Sequence, residues 1–136
     1  MSKVYILSGA PLSGKSTWAA KQKLPILSCD KIRMDYYNGR YKFDPKIEEE
    51  VWEDFYYRLK NYSKDFIVDN TNCKIGYINK IKENIPKEFE VEIVKFEVSL
   101  LKSYYRNVIR YILTGKWIPL EVIKNMKKNY KKLWKK

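Results

Sequence analysis

The chain has 136 residues, 45% of them apolar, which suits one domain over residues 1–136 and leaves no room for a second catalytic unit. It contains no histidine, which excludes histidine acid–base chemistry and histidine-ligated metal sites, so any general base is a carboxylate or a lysine. The formal net charge is +12, and residues 98–136 hold eleven Lys or Arg against one acid, Glu121.

This uneven charge is more than a single nucleotide requires. A polyanionic partner such as nucleic acid would use it, because each Lys or Arg near a phosphate backbone releases a counterion. The alternative is a solvated basic surface that keeps a small protein in solution.

No stretch of the chain reaches the roughly 20 apolar residues of a membrane span. The first apolar run stops at Ser8, so the start lacks the form of a signal peptide. Two cysteines do not make a disulfide framework. We therefore expect no membrane partner and a cytoplasmic location.

The predicted elements alternate between strand and helix, which is typical of a parallel sheet with helices on both faces. In chain order they are a strand at 4–8, a helix at 14–23, a strand at 26–28, helices at 31–37 and 45–62, a strand at 66–68 that ends at Asp69, a helix at 75–84, a strand at 90–98, a helix at 99–113 and a last helix from 119.

Two of these helices have a clear apolar stripe. The sequence Phe43-Asp44-Pro45 predicts an N-cap at Asp44 and a first helical residue at Pro45. The stripe of that helix is Ile47, Val51, Phe55 and Leu59. The stripe predicted for the last helix is Val122, Met126, Tyr130 and Leu133, opposite a face of lysines.

The strongest motif follows the first strand, where residues 9–16 read G-x-x-x-x-G-K-S, the Walker A pattern, in the required strand–loop–helix context. Its glycines let the backbone approach phosphates, and the helix start directs free N–H groups at the same anion. We expect ATP and Mg²⁺ as cofactors, with Lys15 on the β- and γ-phosphates and the Ser16 hydroxyl on the metal. The expected nucleotide-binding residues of this segment are Gly9, Ser13, Gly14, Lys15, Ser16 and Thr17. A chance Gly/Ser turn is the alternative.

Ligands of open parallel sheets bind at the carboxyl ends of the strands, so the residues after each strand are site candidates. After the second strand, Asp30 could take the proton of an attacking hydroxyl, and Arg33 could bind a phosphate on the same acceptor. The alternative for Asp30 is a plain helix N-cap.

After the third strand, Asp69 has the Walker B position and is expected to hold Mg²⁺, directly or through water, or to contact substrate. Asn72 is a second candidate substrate contact. The alternative is that residues 70–72 fix the loop by hydrogen bonds to the backbone.

The helix at 99–113 carries Arg106 and Arg110, four residues apart on one face, followed by a plausible hinge at Thr114-Gly115-Lys116. Two arginines near the γ-phosphate would neutralise charge in the transition state. A solvated basic face is the alternative. Cys29 and Cys73 follow neighbouring strands, either as a redox switch or, more simply, as small buried thiols.

Taken together, these motifs resemble the kinase domain of the phage-type polynucleotide 5′-kinase. The residues that carry the resemblance are Gly9 to Ala19, Asp30-x-x-Arg33, Asp69-Asn70-Thr71-Asn72, Arg106-Asn107-x-x-Arg110 and Ile118-Pro119-Leu120. The resemblance implies a P-loop NTPase-type kinase of the α/β class, with a central parallel sheet of about four strands, a helical lid and a basic C-terminal helix.

It also implies an activity, the transfer of the γ-phosphate of ATP to the 5′-hydroxyl end of DNA or RNA in nucleic-acid repair. By the same resemblance Asp30 is the general base, Arg33 contacts the 3′-phosphate of the acceptor, and Lys15 and Arg110 bind the γ-phosphate. Arg106 would contact the donor phosphates from the lid.

The sequence departs from the family in lacking the Asp-x-Asp motif of its 3′-phosphatase domain. We therefore expect 5′ phosphorylation without 3′-phosphate removal, and a separate ligase or 3′-phosphatase is a conjectured partner. Two other functions stay open: a P-loop kinase for a small metabolite such as a nucleoside or sugar derivative, and a nucleotide-gated nucleic-acid binding module without transfer activity.

Overall fold

The computed structural model describes residues 2–39 and 44–134. Its elements in chain order are β1 (Lys3–Ser8), α1 (Lys15–Lys21), β2 (Ile26–Leu27), α2 (Cys29–Tyr36), α3 (Glu48–Leu59), β3 (Phe66–Asp69), α4 (Ile75–Asn84), β4 (Glu90–Lys95), α5 (Leu100–Thr114) and α6 (Leu120–Trp134). The four strands form one parallel sheet in the order β2-β3-β1-β4. The predicted α/β class and the four-stranded sheet are confirmed.

The strand register brings the candidate loops to one edge of the sheet. Leu7 pairs with Asp69, and Ser8 pairs with Lys95, so β1, β3 and β4 end nearly level. The loops that follow these strands are consequently neighbours. They include the Walker A loop, which is further tied to the loop after β3 by a hydrogen bond from the Gly9 N–H to the Thr71 carbonyl (2.8 Å).

Alternate strand residues build a core on each face of the sheet, because successive side chains of a strand point to opposite faces. Val4 and Phe66 lie in the larger core with the α3 stripe, in which Val51, Phe55 and Leu59 are fully buried. The smaller core, under α1, contains Leu7, Ala19 and Ile67. The stripe predicted for α3 is therefore confirmed, with Ile47 partly buried at its start.

Two predicted helix starts are wrong. Helix α2 begins at Cys29, because the Ser28 hydroxyl accepts the Lys31 N–H (3.0 Å) and caps the helix. Helix α3 begins at Glu48 with Ile47 at the N-cap position, and Asp44 instead accepts the Lys46 N–H (3.0 Å) inside a preceding turn. Phe43 lies outside the described residues.

The apolar stripe predicted for α6 is confirmed at Tyr130 and wrong at Val122, whose place on the buried face is taken by Ile123. The buried residues are Ile123 and Tyr130, whereas Val122 is 38% exposed. Trp134, on the same face, donates its indole N–H to the Ser8 hydroxyl (2.8 Å). The 123, 130 and 134 positions, at i, i+7 and i+11, therefore share the face of α6 that meets the rest of the protein.

The other predicted boundaries differ from the observed ones by a few residues at the ends of helices and strands. For example, β4 ends at Lys95, whereas the predicted strand extends to residue 98. None of the described helices is long and apolar enough to cross a membrane.

Candidate functional site

The loop between β1 and α1 has the backbone of a phosphate cradle. Gly14 has φ +99°, a left-handed conformation that glycine adopts without strain. At Gly9, an added Cβ would lie 2.7 Å from both the Phe96 carbonyl oxygen and the Ser13 hydroxyl. Both glycines of the motif are therefore required by the local geometry.

Lys15 lies inside this loop and is only 7% exposed. Its Nζ donates to the Ala10 carbonyl (2.9 Å) and lies 3.5 Å from the Ser13 hydroxyl. Burial lowers the pKa of Lys15, although the charges of Asp69 and Asp30 oppose that shift. A phosphate in the loop would offset the cost of burying this ammonium group.

The Ser16 hydroxyl donates to the Asp69 carboxylate (Oγ to Oδ2, 2.9 Å), so the Walker A and Walker B residues meet. Both offer the hard oxygen atoms that Mg²⁺ prefers, and both fit a bound Mg²⁺. Ser16 and Thr17 are exposed at the start of α1. Within residues 2–39 and 44–134, no cluster of three or more His, Cys, Asp or Glu side chains forms a metal site by itself.

Asp30 lies in the first turn of α2, beyond the cap, so the N-cap alternative for this residue is wrong. One carboxylate oxygen accepts from Arg33 (2.8 Å) and the other from Lys116 (3.2 Å). The side chain is 49% exposed, so the carboxylate can still be reached from the solvent side. The result is a carboxylate held between two cations beside the phosphate cradle.

The guanidinium of Arg33 is held from the other side by Glu48, which accepts from Nε (3.0 Å) and from Nη2. Burial alone would lower the pKa of Arg33, but the hydrogen bond and charge of Glu48, helped by Asp30, raise it. Glu48 carries no local sequence signal for this role, because 15 residues separate it from Arg33.

Lys116, which the sequence predicts only as part of a hinge, is a further residue of the site. Gly115, at φ +75°, ends α5 and redirects the chain so that Lys116 reaches Asp30. Burial lowers the pKa of Lys116, against the opposing charge of Asp30. The glycine after a helix with an adjacent lysine is the one local signal that could have pointed to it.

The segment that carries Lys116 is fixed by Asn107, which is fully buried. Its Nδ2 donates to the Ile118 carbonyl (2.8 Å), and its Oδ1 accepts the Ile118 N–H (3.2 Å). One side chain of α5 thus satisfies both backbone groups of a residue in the α5–α6 connection.

The two arginines of α5 lie near the phosphate loop. Arg106 donates through Nη1 to the Leu12 carbonyl (2.7 Å). The charge of Arg110 acts on both Lys15 and Lys116, lowering the pKa of each. The helix therefore presents these arginines to the site and not to bulk solvent alone.

Side chains of the loop after β3 form hydrogen bonds with the backbone, which is the structural alternative given above for residues 70–72. Asn70 accepts the Cys29 N–H (2.9 Å), and Asn72 donates to the Leu7 carbonyl (2.7 Å). Asn72 is 3% exposed with φ +47°, so its contacts are those of a residue that fixes the loop.

Cys29 and Cys73 are both free and buried. Burial raises the pKa of Cys29 to about 12 and that of Cys73 to about 11. Both therefore have the character of inert buried thiols, because the thiolate is the reactive form.

Several solved structures share this fold. A chain of the Pnkp1/Rnl/Hen1 RNA repair complex matches 96% of this chain at 21% identity, with a TM-score of 0.83, and 44% of that chain is covered. A second structure of the Pnkp1/Rnl/Hen1 complex matches 77% of this chain at 23% identity, with a TM-score of 0.65 and 38% of that chain covered. A gluconokinase from Sinorhizobium meliloti 1021 matches 93% at 16% identity, with a TM-score of 0.54 and 74% covered.

These identities show a shared fold and no more, and this chain spans less than half the length of the two repair-complex chains. No curated protein sequence is similar enough to count as a relative. The family model described as an AAA domain matches residues 4–133. The chain therefore belongs to this AAA domain family, as a P-loop domain of the kinase type.

Proposed function

We propose that this protein is an ATP-dependent polynucleotide 5′-hydroxyl kinase, which transfers the γ-phosphate of ATP to the 5′-OH end of DNA or RNA. The observation that carries the proposal is the position of Asp30, half exposed between Arg33 and Lys116 and close enough to the phosphate loop for its charge to act on Lys15. A carboxylate flanked by cations suits an acceptor that carries both a hydroxyl group and a phosphate.

In the proposed reaction, the acceptor oxygen forms a bond to the γ-phosphorus while the bond from that phosphorus to the leaving oxygen of ADP breaks. The hydroxyl proton passes to the Asp30 carboxylate, whose oxygens each accept one hydrogen bond and keep a further lone pair. Lys15 and Arg110 bind the transferred phosphoryl group, and Arg106 holds the donor phosphates over the loop. These interactions are mostly positioning and charge stabilisation.

Mg²⁺ would be held by Ser16, with Asp69 directly or through water, and would neutralise charge on the β- and γ-phosphates. Arg33 is proposed as the contact to the 3′-phosphate of the terminal acceptor nucleotide, and for this it would share its donors among Asp30, Glu48 and the substrate. Asn72 no longer belongs among the proposed substrate contacts, because its amide is used within the loop.

The direct test is label transfer from γ-labelled ATP, with Mg²⁺, to short DNA and RNA strands that have a 5′-hydroxyl. The same strands with a 5′-phosphate are the control substrates. We expect label only on the 5′-hydroxyl strands. Absence of label on every strand, with ATP binding intact, would refute the proposal.

Variants then test the assignment of the base. Asp30→Asn should reduce the transfer rate by at least about a hundredfold and leave ATP binding nearly unchanged. Asp35→Asn is a matched control, because Asp35 is exposed on the same helix. An unchanged rate in Asp30→Asn would remove this residue from the mechanism.

A metabolite kinase is the competing function, because the fold and the phosphate loop suit it equally. Transfer to nucleosides or sugars in place of oligonucleotides would identify it. Tight nucleic-acid binding without ATP consumption would instead identify a binding module. If the proposal holds, a separate ligase or 3′-phosphatase is a conjectured partner, and the fold shared with a chain of the Pnkp1/Rnl/Hen1 RNA repair complex is in keeping with it.

A further inference from the structure

An open groove of about 780 Å³ lies next to the phosphate loop but outside the contacts described for ATP and Asp30. One wall is the segment 97–100, which joins β4 to α5, and the other wall is α6. We call it the lysine groove, and α6 contributes to it Lys124, Lys127, Lys128 and Lys131.

The charge of the lysine groove is strongly positive. Four ammonium groups face one carboxylate, Glu97, among its lining residues. Helix α5 has 15 residues and starts at the groove, with no acidic side chain in its first turn, so its N-terminal dipole adds further positive potential. An anionic ligand is therefore favoured over a neutral one.

Two contacts of α6 hold the walls of the groove in place. Lys127 donates its ammonium group to the Val98 carbonyl, which ties α6 to the opposite wall. Trp134 anchors the end of α6 to Ser8 at the start of the phosphate loop. The other three lysines are exposed, so they are the ones available to a ligand.

The spacing of those three lysines suits a chain of phosphates. Lys124, Lys128 and Lys131 lie at i, i+4 and i+7 on one face of α6, which spans about 10 Å at 1.5 Å per residue. Over this length a nucleic-acid strand can place one backbone phosphate against each of the three ammonium groups.

The groove also adjoins the phosphate loop, on the β4 side of the sheet, so an acceptor strand that begins at Asp30 after β2 would cross the carboxyl edge of the sheet to reach it. Ala10 of the phosphate loop and Phe96 line a small pocket that shares Lys127 and Lys131 with the groove. Ala10 is the residue whose carbonyl accepts from Lys15. A ligand in the groove would thus lie directly beside the loop that binds ATP.

We infer that the lysine groove binds the phosphodiester backbone of the acceptor strand beyond its 5′-terminal nucleotide. This inference rests on the proposed kinase function and adds to it a binding site for the nucleotides that follow the first one of the acceptor strand. Such a site would lower the KM for a long strand relative to that for a single nucleotide, without changing the chemistry at Asp30.

The test compares the wild-type protein with the triple variant Lys124→Gln, Lys128→Gln, Lys131→Gln. The matched control is Lys60→Gln, Lys82→Gln, Lys87→Gln, which removes the same charge from exposed residues near the opposite edge of the sheet. Each protein is assayed with a nucleoside 3′-phosphate and with a 5′-hydroxyl oligonucleotide of about 16 nucleotides. The KM for each acceptor and for ATP is measured at several salt concentrations.

We expect the groove variant to phosphorylate the nucleoside 3′-phosphate at the wild-type rate and to show a raised KM for the oligonucleotide. The logarithm of the binding constant falls linearly with the logarithm of the salt concentration, and each phosphate contact on a single strand adds about 0.7 to the steepness of that slope. Three contacts therefore add about 2. Raising the salt from about 50 to about 200 mM should therefore weaken oligonucleotide binding by the wild-type protein about 20-fold more than binding by the variant.

Three results would overturn the inference. One is a groove variant whose oligonucleotide KM and salt slope equal those of the wild type. Another is an equal effect in the control variant, which would indicate net charge alone. The third is a raised KM for ATP with an unchanged oligonucleotide response, which would assign the groove to the donor. Failure of the proposed function is distinct, since no protein would then label either acceptor.

Discussion

The substitution Asn107→Ala tests whether one buried side chain of α5 holds the segment that brings Lys116 to Asp30. The variant removes the hydrogen bond to the Ile118 carbonyl (2.8 Å) and the one from the Ile118 N–H (3.2 Å). Asn107 is fully buried and Ile118 is half-buried, so both bonds are partly shielded from water in the folded protein.

The expected loss of stability follows from these two bonds. Each contributes a net of about 1 kcal/mol, so the free energy of unfolding should fall by about 2 kcal/mol. For a domain of this size that corresponds to a decrease in Tm of about 8 °C. The segment 116–118 should also loosen, and the transfer rate should fall at least about tenfold as Lys116 leaves Asp30.

Urea unfolding and thermal melting measure the stability, and label transfer measures the rate. Trp117 reports locally on the segment, since its ring meets that of Tyr111 edge-on at 5.8 Å between centroids. Its emission, isolated by comparison with Trp117→Phe, should shift to the red in the variant. Asn79→Ala, an exposed position on α4, is the matched control and should change none of these quantities.

The reasoning would be refuted if Asn107→Ala unfolded within about 0.5 kcal/mol of the Asn79→Ala control and kept its transfer rate. A loss of stability with an unchanged rate would separate the two roles. Asn107 would then support the fold, and Lys116 would not depend on it.

Three further predictions concern the corrected helix face, the buried thiol and the phosphate loop. Ile123→Ala should lower the free energy of unfolding by about 2–5 kcal/mol and Val122→Ala by well under 1, measured by urea unfolding; equal losses would contradict the observed orientation of α6. Because burial raises the pKa of Cys29 to about 12, its thiol stays protonated near pH 8, so iodoacetamide should label it only after unfolding. Rapid labelling of the native protein, followed by peptide mapping, would contradict this. Gly9→Ala places a Cβ 2.7 Å from the Phe96 carbonyl and should weaken ATP binding at least about tenfold by calorimetry; wild-type affinity would show that the loop can yield.

A feature of this protein is predictable from sequence where the residues that specify it lie close together along the chain. The phosphate loop could be identified because strand, glycines, lysine and hydroxyl all lie within one short segment. The α3 stripe was predicted correctly, since Val51, Phe55 and Leu59 follow the helical period over several turns. The α6 stripe was predicted correctly at Tyr130 but not at Val122, because Val122 and Ile123 both suit an apolar face and only the packing of the folded chain shows which of them is buried.

The sequence by itself determined the α/β class, the phosphate loop and the concentration of basic charge in residues 98–136. Only the tertiary structure decided what surrounds Asp30, since Lys116 is 86 residues away along the chain and Arg33 is shared with Glu48. It also decided that Asn72 fixes a loop and that four lysines of α6 line a groove. The physical reason is that backbone conformation is encoded in short-range spacing, whereas the partner of a charged or polar side chain depends on which distant segments the fold brings into contact.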